Sequence, residues 1–482
     1  MRGRFYKDFE KVAKIKEKVQ LKPHQKRVVK RLRDSTDSLL LYHGLGSGKT
    51  LSSIAATEGL NTDVVVPASL RPNYLKELAK FTTLPASRDV MSYEKASKGL
   101  TGGDALVLDE VQRINNPATA RAASILKAAP LYKKRVLLSG TPIRNYPHEL
   151  APILKVLDPE GKKVPTDVKK FQSKFIKETP IDPGLLNRLM GVKPGFEYDA
   201  KNLNILQKAI EGRVDYYEPD STNYPLKKER IALVPMSPEQ SRIYSYVTGR
   251  ANPAIARKVR KNLPLSKIEA KQLNAFMSAT RQIGNTTRPF GGTEDSPKLL
   301  RARDELKDRL RRNPNYKAMA YSNYLDGGVK EYARLLDEKK ISNRLFTGEM
   351  SDKEKKKTVN DFNKGKFKVL LISGAGSEGI DLKGTRMVQI LEPHWNKARI
   401  DQAIGRAARY KSHEHLPQKD RNVEVVHYHS AHPAGWLARK LSRKSPTAAD
   451  TYLYELSKKK DLLNQKFLDI LKEEGMRYHH ED

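Results

Sequence analysis

A glycine-rich segment, Gly44-Leu45-Gly46-Ser47-Gly48-Lys49-Thr50, lies between the apolar run Leu39-Leu40-Leu41-Tyr42 and the helix-compatible stretch Leu51-Ser52-Ser53-Ile54-Ala55-Ala56. Glycines at such a junction let successive backbone N–H groups converge on a phosphate, and the helix N-terminus adds a favourable dipole. In that setting Gly44, Gly46, Ser47 and Gly48 form a cradle, Lys49 reaches the β- and γ-phosphates, and Thr50 holds Mg²⁺. The strict pattern has glycine where this chain has His43. A glycine-rich turn beside a lysine is also common on its own, so a second feature must supply context. Asp109-Glu110 supplies it, at the end of the apolar run Ala105-Leu106-Val107-Leu108. A carboxylate at a strand end can hold Mg²⁺, leaving Glu110 to polarise an attacking water. Taken alone, that pair could equally be an acidic turn after a buried strand.

Transfer of a phosphoryl group spreads negative charge over the γ-phosphate oxygens, and a cation brought from elsewhere accelerates it. The segment Gln402-Ala403-Ile404-Gly405-Arg406-Ala407-Ala408-Arg409 offers two arginines three positions apart, which on one helix would share a face. Paired arginines on a helix are ordinarily solvated or salt-bridged. Here they follow a phosphate-binding half that lacks a cation of this kind.

Such groups need rigid elements to hold them. Apolar runs at 39–42, 64–66, 105–108 and 136–138, separated by helix-compatible stretches, predict buried strands of a parallel sheet covered on both faces. From about Asp158 to Lys298 the pattern changes to long charged helix-favouring stretches, with one clear strand signal at Arg230–Val234. Alternation returns at Ala318–Tyr321, Val369–Ile372, Met387–Leu391 and Val423–Val426, predicting a second parallel sheet. Between Thr447 and Glu474, Leu453, Leu456, Leu462, Leu463, Phe467, Ile470 and Leu471 have helical spacing. The expected fold class is therefore α/β, with two parallel-sheet domains, a helical insertion and a C-terminal helical brace. The expected boundaries are 1–158, 159–297, 298–446 and 447–482.

The 482 residues carry 91 Lys+Arg against 56 Asp+Glu, a formal charge of +35. An excess of this size predicts a polyanionic partner, nucleic acid first among them, bound through contacts that weaken with salt. Basic clusters recur at Lys26-Arg27 with Lys30-Arg31, Arg257-Lys258 with Arg260-Lys261, Lys355–Lys357, and Arg439-Lys440 with Arg443-Lys444. Zero cysteines exclude disulfides and thiolate metal sites and fit a reducing, intracellular setting. No run of 18 apolar residues exists, and the N-terminal residues lack the apolar core of a signal peptide, so neither a membrane partner nor secretion is expected. His427 and His429 alternate on a strand beside His413, His415 and His432, but no carboxylate or thiolate spacing accompanies them, so no metal site is expected there.

The order of these segments resembles the superfamily-two helicases and translocases, specifically their Swi/Snf-like branch, over nearly the whole chain. Gln25 within Leu21-Lys22-Pro23-His24-Gln25 resembles the branch's adenine reader. Val66-Pro67-Ala68-Ser69-Leu70 and Met91-Ser92-Tyr93-Glu94 resemble its strand-contacting segments, with Pro67, Ser69, Ser92 and Tyr93 as the contacts implied. Ser139-Gly140-Thr141-Pro142 resembles the branch's coupling motif, and the acidic motif has Gln112, assigned to the same nucleic-acid or coupling role, in place of the histidine of many relatives. Tyr321-Ser322, Thr347-Gly348 and Ser373 to Leu382, including Gly379, resemble second-half backbone contacts, with Asp381 near the ribose. His43, Arg409–His413 and the 448–471 tail lean toward the ATPases of large DNA viruses. The resemblance implies two RecA-like domains, with Lys49, Asp109, Glu110, Gln402, Arg406 and Arg409 catalytic and Thr50 and Asp109 on the metal. ATP and Mg²⁺ are the implied cofactors. DNA ahead of RNA is the implied partner, with a polymerase or other replication or transcription machinery beside it. An RNA-directed or transcription-coupled ATPase uses the same parts. A non-catalytic scaffold would be expected to have lost one of them.

Overall fold

The computed structural model describes residues 20–44, 46–82, 88–189, 192–220, 222, 224–374, 380–433 and 447–480. The first apolar runs form β1 (Ser38–His43), β2 (Thr62–Val66), β3 (Arg88–Ser92), β4 (Gly103–Asp109) and β5 (Tyr132–Ser139). These join β8 (Val214–Tyr217) in a six-stranded parallel sheet ordered β3-β2-β4-β5-β1-β8. Every residue of β1 is buried. One face packs on Leu40, Val65, Leu106, Leu137 and their neighbours, the other on Leu39, Leu41, Val64, Val107 and Val136. A strand covered on both sides has no polar face, and this is why the runs read as continuous rather than alternating.

Two intervening strands, β6 (Ile176–Ile181) and β7 (Gly195–Ala200), pair with each other in a separate two-stranded sheet. A second parallel sheet is ordered β11-β12-β10-β13-β14-β9, from β9 (Leu226–Pro235), β10 (Ala318–Ser322), β11 (Asn343–Phe346), β12 (Val369–Ser373), β13 (Met387–Ile390) and β14 (Asn422–Ala431). Its two faces are covered by separate cores, one around Leu299, Ala320, Leu371 and Tyr428, the other around Tyr321, Phe362, Leu370 and Ile404.

The chain forms two units. One comprises 1–177, 198–220 and 460–482, and the other 178–197 and 221–459. The stretch 159–297, expected as a mainly helical connector, is shared between them, because β8 extends the first sheet and β9 the second. Its helical part, Pro238–Ala251, Pro253–Arg260 and Lys267–Asn285, closes over a core of its own with Tyr244, Ile255, Phe276 and Met277. The expected C-terminal helix spans Ala449–Met476. Tyr452 and Leu453 enter that helical core, while Phe467 and Leu471 enter the first sheet's core. No described helix is long and apolar enough to cross a membrane.

Candidate active site

In a parallel sheet the loops that bind ligands leave the carboxyl ends of the strands. His43, Asp109 and Ser139 end β1, β4 and β5, three strands that are adjacent in the order β4-β5-β1. The glycine-rich loop, Asp109-Glu110 and Ser139-Gly140-Thr141-Pro142 therefore share one edge of the sheet.

The loop continues from β1 into the Lys49–Ala56 helix, whose N-cap Gly48 has φ 78°. That conformation suits glycine. A Cβ on Gly48 would also lie 2.6 Å from Gln25 Nε2, and one on Gly44 would lie 2.7 Å from Pro219 Cδ. The Lys49 ammonium donates to the carbonyl oxygens of His43 at 2.8 Å and Gly44 at 3.1 Å. Burial lowers its pKa, and the charges of Glu110, Asp109 and Glu218 push it partly back up. Thr50 is half-buried in the first turn of the helix. The Ser47 hydroxyl is buried with no hydrogen-bond partner among the described residues. A donor without an acceptor inside a glycine cradle fits a phosphate oxygen. Leu45 lies outside the described residues.

Burial, reinforced by the Glu110 charge, raises the Asp109 carboxyl to about 7, and Lys49 only partly opposes this. A carboxylate held in such surroundings gains from a cation, and carboxylate and hydroxyl oxygens such as those of Asp109 and Thr50 are the donor type that fits Mg²⁺. Among the described residues no group of three or more acidic or histidine side chains could hold a metal by itself. Glu110 is left-handed at φ 54°, an uncommon state for a residue with a side chain. Its carboxylate accepts from Gln112 Nε2. Ser139 Oγ donates to Gln112 Oε1 at 2.7 Å, and Thr141 N donates to Ser139 Oγ at 3.0 Å. The Gln112 amide, donor at one end and acceptor at the other, thus ties the acidic pair to the β5 loop without a titrating group.

Gln25 is buried on the Pro23–Asp34 helix. Its Oε1 accepts from Lys22 N at 2.9 Å and its Nε2 donates to Gly48 O at 3.3 Å, which sets it directly behind the loop. His24 Nε2 lies 2.9 Å from Ser47 O, and the His24 ring stacks on Tyr217 with centroids 3.6 Å apart.

Nothing in the sequence patterns pointed to Asp215, although its side chain is fully buried and central. Its carboxylate accepts from Arg27 Nε at 2.9 Å, from Arg31 at 3.2 Å and from His43 Nε2 at 2.7 Å. Burial alone would raise its pKa, but the hydrogen bonds and charges of His43 and Arg27 bring it to about 2. His43 stands where the strict loop pattern has glycine, and it fills that place as the last residue of a buried strand.

In the second unit, Ser322, Thr347 and Ser373 lie at the carboxyl ends of β10, β11 and β12. Buried Glu392, also missed from sequence, accepts from Ser322 Oγ at 2.9 Å, Asn323 N at 2.6 Å and Asn285 Nδ2 at 2.8 Å. Gln402 and Arg406 lie half-buried on the Lys397–Ala407 helix, but that helix stops before Arg409. The expected shared helix face therefore does not exist: Ala408, at φ −117° and ψ 55°, turns the chain out of helical geometry. Both Arg406 Nε and Arg409 Nε are buried with no hydrogen-bond partner among the described residues. Asp381 is exposed, and its carbonyl accepts from Asn363 at 3.0 Å.

Several residues expected to touch nucleic acid or to couple its binding to the nucleotide site are internal. Tyr93 and Tyr321 are fully buried, with Tyr93 Oη donating to Asp109 O at 2.8 Å, while Pro67, Gln112, Ser139, Ser322 and Ser373 are buried as well. Tyr93, Gln112, Ser139 and Ser322 instead hold loops through bonds to Asp109 O, Glu110, Gln112 and Glu392. Ser69 and Thr141 are exposed, whereas Ser92 and Thr347 are half-buried. Gly379 lies outside the described residues, as do Arg439, Lys440, Arg443 and Lys444.

The SNF2-related domain matches residues 87–288, and the helicase conserved C-terminal domain matches residues 301–411. A protein of Acanthamoeba polyphaga mimivirus, L538, provisionally named an ATP-dependent RNA helicase, is 29% identical over 94% of this chain and 96% of its own. A termination factor NPH-I homolog of African swine fever virus is 26% identical over 91% of this chain and 76% of its own. The Sulfolobus solfataricus SWI2/SNF2 ATPase core, solved in complex with dsDNA, aligns over 94% of this chain and 97% of its own at 20% identity and a TM-score of 0.36. The Pyrococcus furiosus Hef helicase domain aligns over 88% and 98% at 14% identity and a TM-score of 0.49. The chain thus carries an SNF2-related domain and a helicase conserved C-terminal domain, and it folds around two parallel sheets. Its relatives include viral NPH-I homologues, and the SNF2-related and helicase domains support ATP hydrolysis.

Proposed function

We propose that this protein is an ATP-dependent translocase that moves along nucleic acid, duplex DNA in the first instance. The observation that carries the reading is the gathering of Lys49, Thr50, Asp109 and Glu110 at one sheet edge with Gln25 behind the loop, in a chain whose second domain keeps Arg406 and Arg409. Gln25 faces adenine, the Gly44–Gly48 backbone and Lys49 hold the phosphates, and Glu110 orients the attacking water and takes up its proton. Thr50 and Asp109 would hold a Mg²⁺ that, when bound, would supply neutralisation of phosphate charge. Gln402, Arg406 and Arg409 supply the polar and cationic groups for the γ-phosphate as charge develops. Turnover alternates the grip of the two domains on the phosphate backbone, with exposed Ser69 and Thr141 among the candidate contacts. Backbone contact carries no sequence information, so binding is expected to be nonspecific and salt-sensitive.

A second reading, an RNA-directed or transcription-coupled ATPase working beside a polymerase, draws on the names of the mimivirus and African swine fever virus relatives. The retained lysine, acidic pair and arginines argue against a non-catalytic scaffold. The experiment is Lys49→Ala: turnover should vanish while retention on DNA stays within about twofold, since phosphate contacts elsewhere carry that affinity. Equal loss of retention would count against the translocase.

A further inference from the structure

The nucleotide loop and the adenine-reading helix are far apart in sequence from the strand that touches both. Val214–Tyr217 pairs with β1 in register Tyr42↔Tyr216 and His43↔Tyr217, so it runs alongside the strand that feeds the loop. Asp215 sits with no side-chain exposure between two sets of donors. From the Pro23–Asp34 helix come Arg27, through Nε at 2.9 Å and a terminal nitrogen at 3.2 Å, and Arg31 at 3.2 Å. From the mouth of the loop comes His43 Nε2 at 2.7 Å. Arg31 is aimed further by the carbonyls of Val214 at 2.7 Å and Gly212 at 3.0 Å.

We infer that Asp215 is a positioning residue of the nucleotide pocket, holding the Gln25 helix and the Lys49 loop in register through Arg27, Arg31 and His43. The inference rests on the reading of the loop as a nucleotide site. Each link ends on a part of the pocket. Arg27 is two residues from Gln25. The His43 carbonyl is the nearer of the two Lys49 acceptors, and Gly44 N donates to Tyr217 O at 2.8 Å, only two residues beyond Asp215. Tyr217 in turn stacks on His24, which contacts Ser47 O. His43 is buried and its Nδ1 has no partner among the described residues, so Nε2 carries the proton given to Asp215 and the ring has one orientation. A carboxylate suits this place because it accepts from three donors at once. An amide at the same position has one acceptor oxygen and would set a nitrogen against the remaining donors. A merely structural ion cluster would stabilise the fold without setting the distance between Gln25 and the loop.

The test uses the full chain with a fluorescent ATP analogue, comparing wild type with D215N, H43Q and H43N. Glutamine places its amide N–H where His43 Nε2 stands; asparagine is too short and places its own near Nδ1. Analogue affinity should fall by about tenfold or more in D215N and H43N and recover to within about threefold in H43Q, with kcat at saturating ATP changing less than KM, as expected for lost positioning. Wild-type affinity in H43N and D215N would overturn the inference, whatever their thermal midpoints. If D215N does not fold, the contrast between H43Q and H43N decides. Failure of the wild type to bind the analogue, or equal binding by Lys49→Ala, would instead overturn the nucleotide reading on which it rests.

Discussion

Burial and the Glu110 charge push the Asp109 carboxyl up to about 7, so near neutrality it is divided between two protonation forms. Only the ionised form can hold a cation. For ATP turnover, kcat/KM should therefore rise with pH through about 7 and level off above it, and Asp109→Asn should remove the rise along with most of the activity. The stability effect has the opposite sign. A carboxyl whose pKa is raised on folding binds its proton more tightly in the folded state, so its contribution favours folding at low pH and is lost as pH climbs from about 4 through about 7. Without nucleotide, the wild-type thermal midpoint should fall relative to Asp109→Asn over that window; a parallel pair of curves would contradict the assignment. Arg406→Ala should lower kcat by roughly 10³ while leaving ATP-analogue affinity nearly unchanged, and an unchanged kcat in steady-state assays would remove Arg406 from its role. The grouping of Lys49, Thr50, Asp109, Glu110 and Gln25 as one candidate site was legible in the sequence because residue type beside a strand end marks such positions. Asp215 was not, because its partners lie 188, 184 and 172 positions away. Tyr93 and Tyr321 misled for a different reason: a tyrosine has both an apolar body and a polar tip, and its sequence position does not say which one the fold uses.

At the scale of elements, the interior strands β1, β2, β4, β5, β10, β12 and β13 announced themselves through unbroken apolar runs, since both of their faces are covered. The edge strands did not. Val214-Asp215-Tyr216-Tyr217 has neither an apolar run nor a clean alternation, so β8 was absorbed into a stretch read as helical, and β9 was seen as a strand without its place beside β14. The end of the Lys397–Ala407 helix was likewise invisible, because Ala407-Ala408 carries no stop signal and the chain leaves the helix there all the same. Gln112 joins the ends of β4 and β5 through two hydrogen bonds. Gln112→Leu would leave the buried Ser139 hydroxyl without its acceptor, at a cost of about 1–3 kcal/mol, and would release the half-buried Glu110 carboxylate. The variant should melt earlier and lose more of its nucleic-acid-stimulated ATPase than of its basal rate. Equal loss of the two rates would mean the amide is only a brace.

For the molecule as a whole, net charge predicted a polyanionic partner, yet charge in sequence does not reveal direction. Of the Lys26-Arg27 and Lys30-Arg31 cluster, both arginines turn inward to Asp215, and Lys258 of the next cluster is buried on Glu269 at 2.6 Å. Lys356 and Lys357 remain outside, as do Lys26, Lys30, Arg260 and Lys261. The two-sheet plan was legible because each half repeats the same alternation of buried strand and helix, whereas the sharing of 159–297 between units depends on pairings no local pattern encodes. The central claim is that the chain is an ATP-hydrolysing motor driven by contact with nucleic acid. The most direct measurement is the ATPase rate of the full chain with duplex DNA, single-stranded DNA, RNA, or none. The account predicts a basal rate raised by about tenfold or more, most strongly by duplex DNA, and abolished throughout by Lys49→Ala. A rate indifferent to every nucleic acid, or one that survives the loss of Lys49, would contradict it.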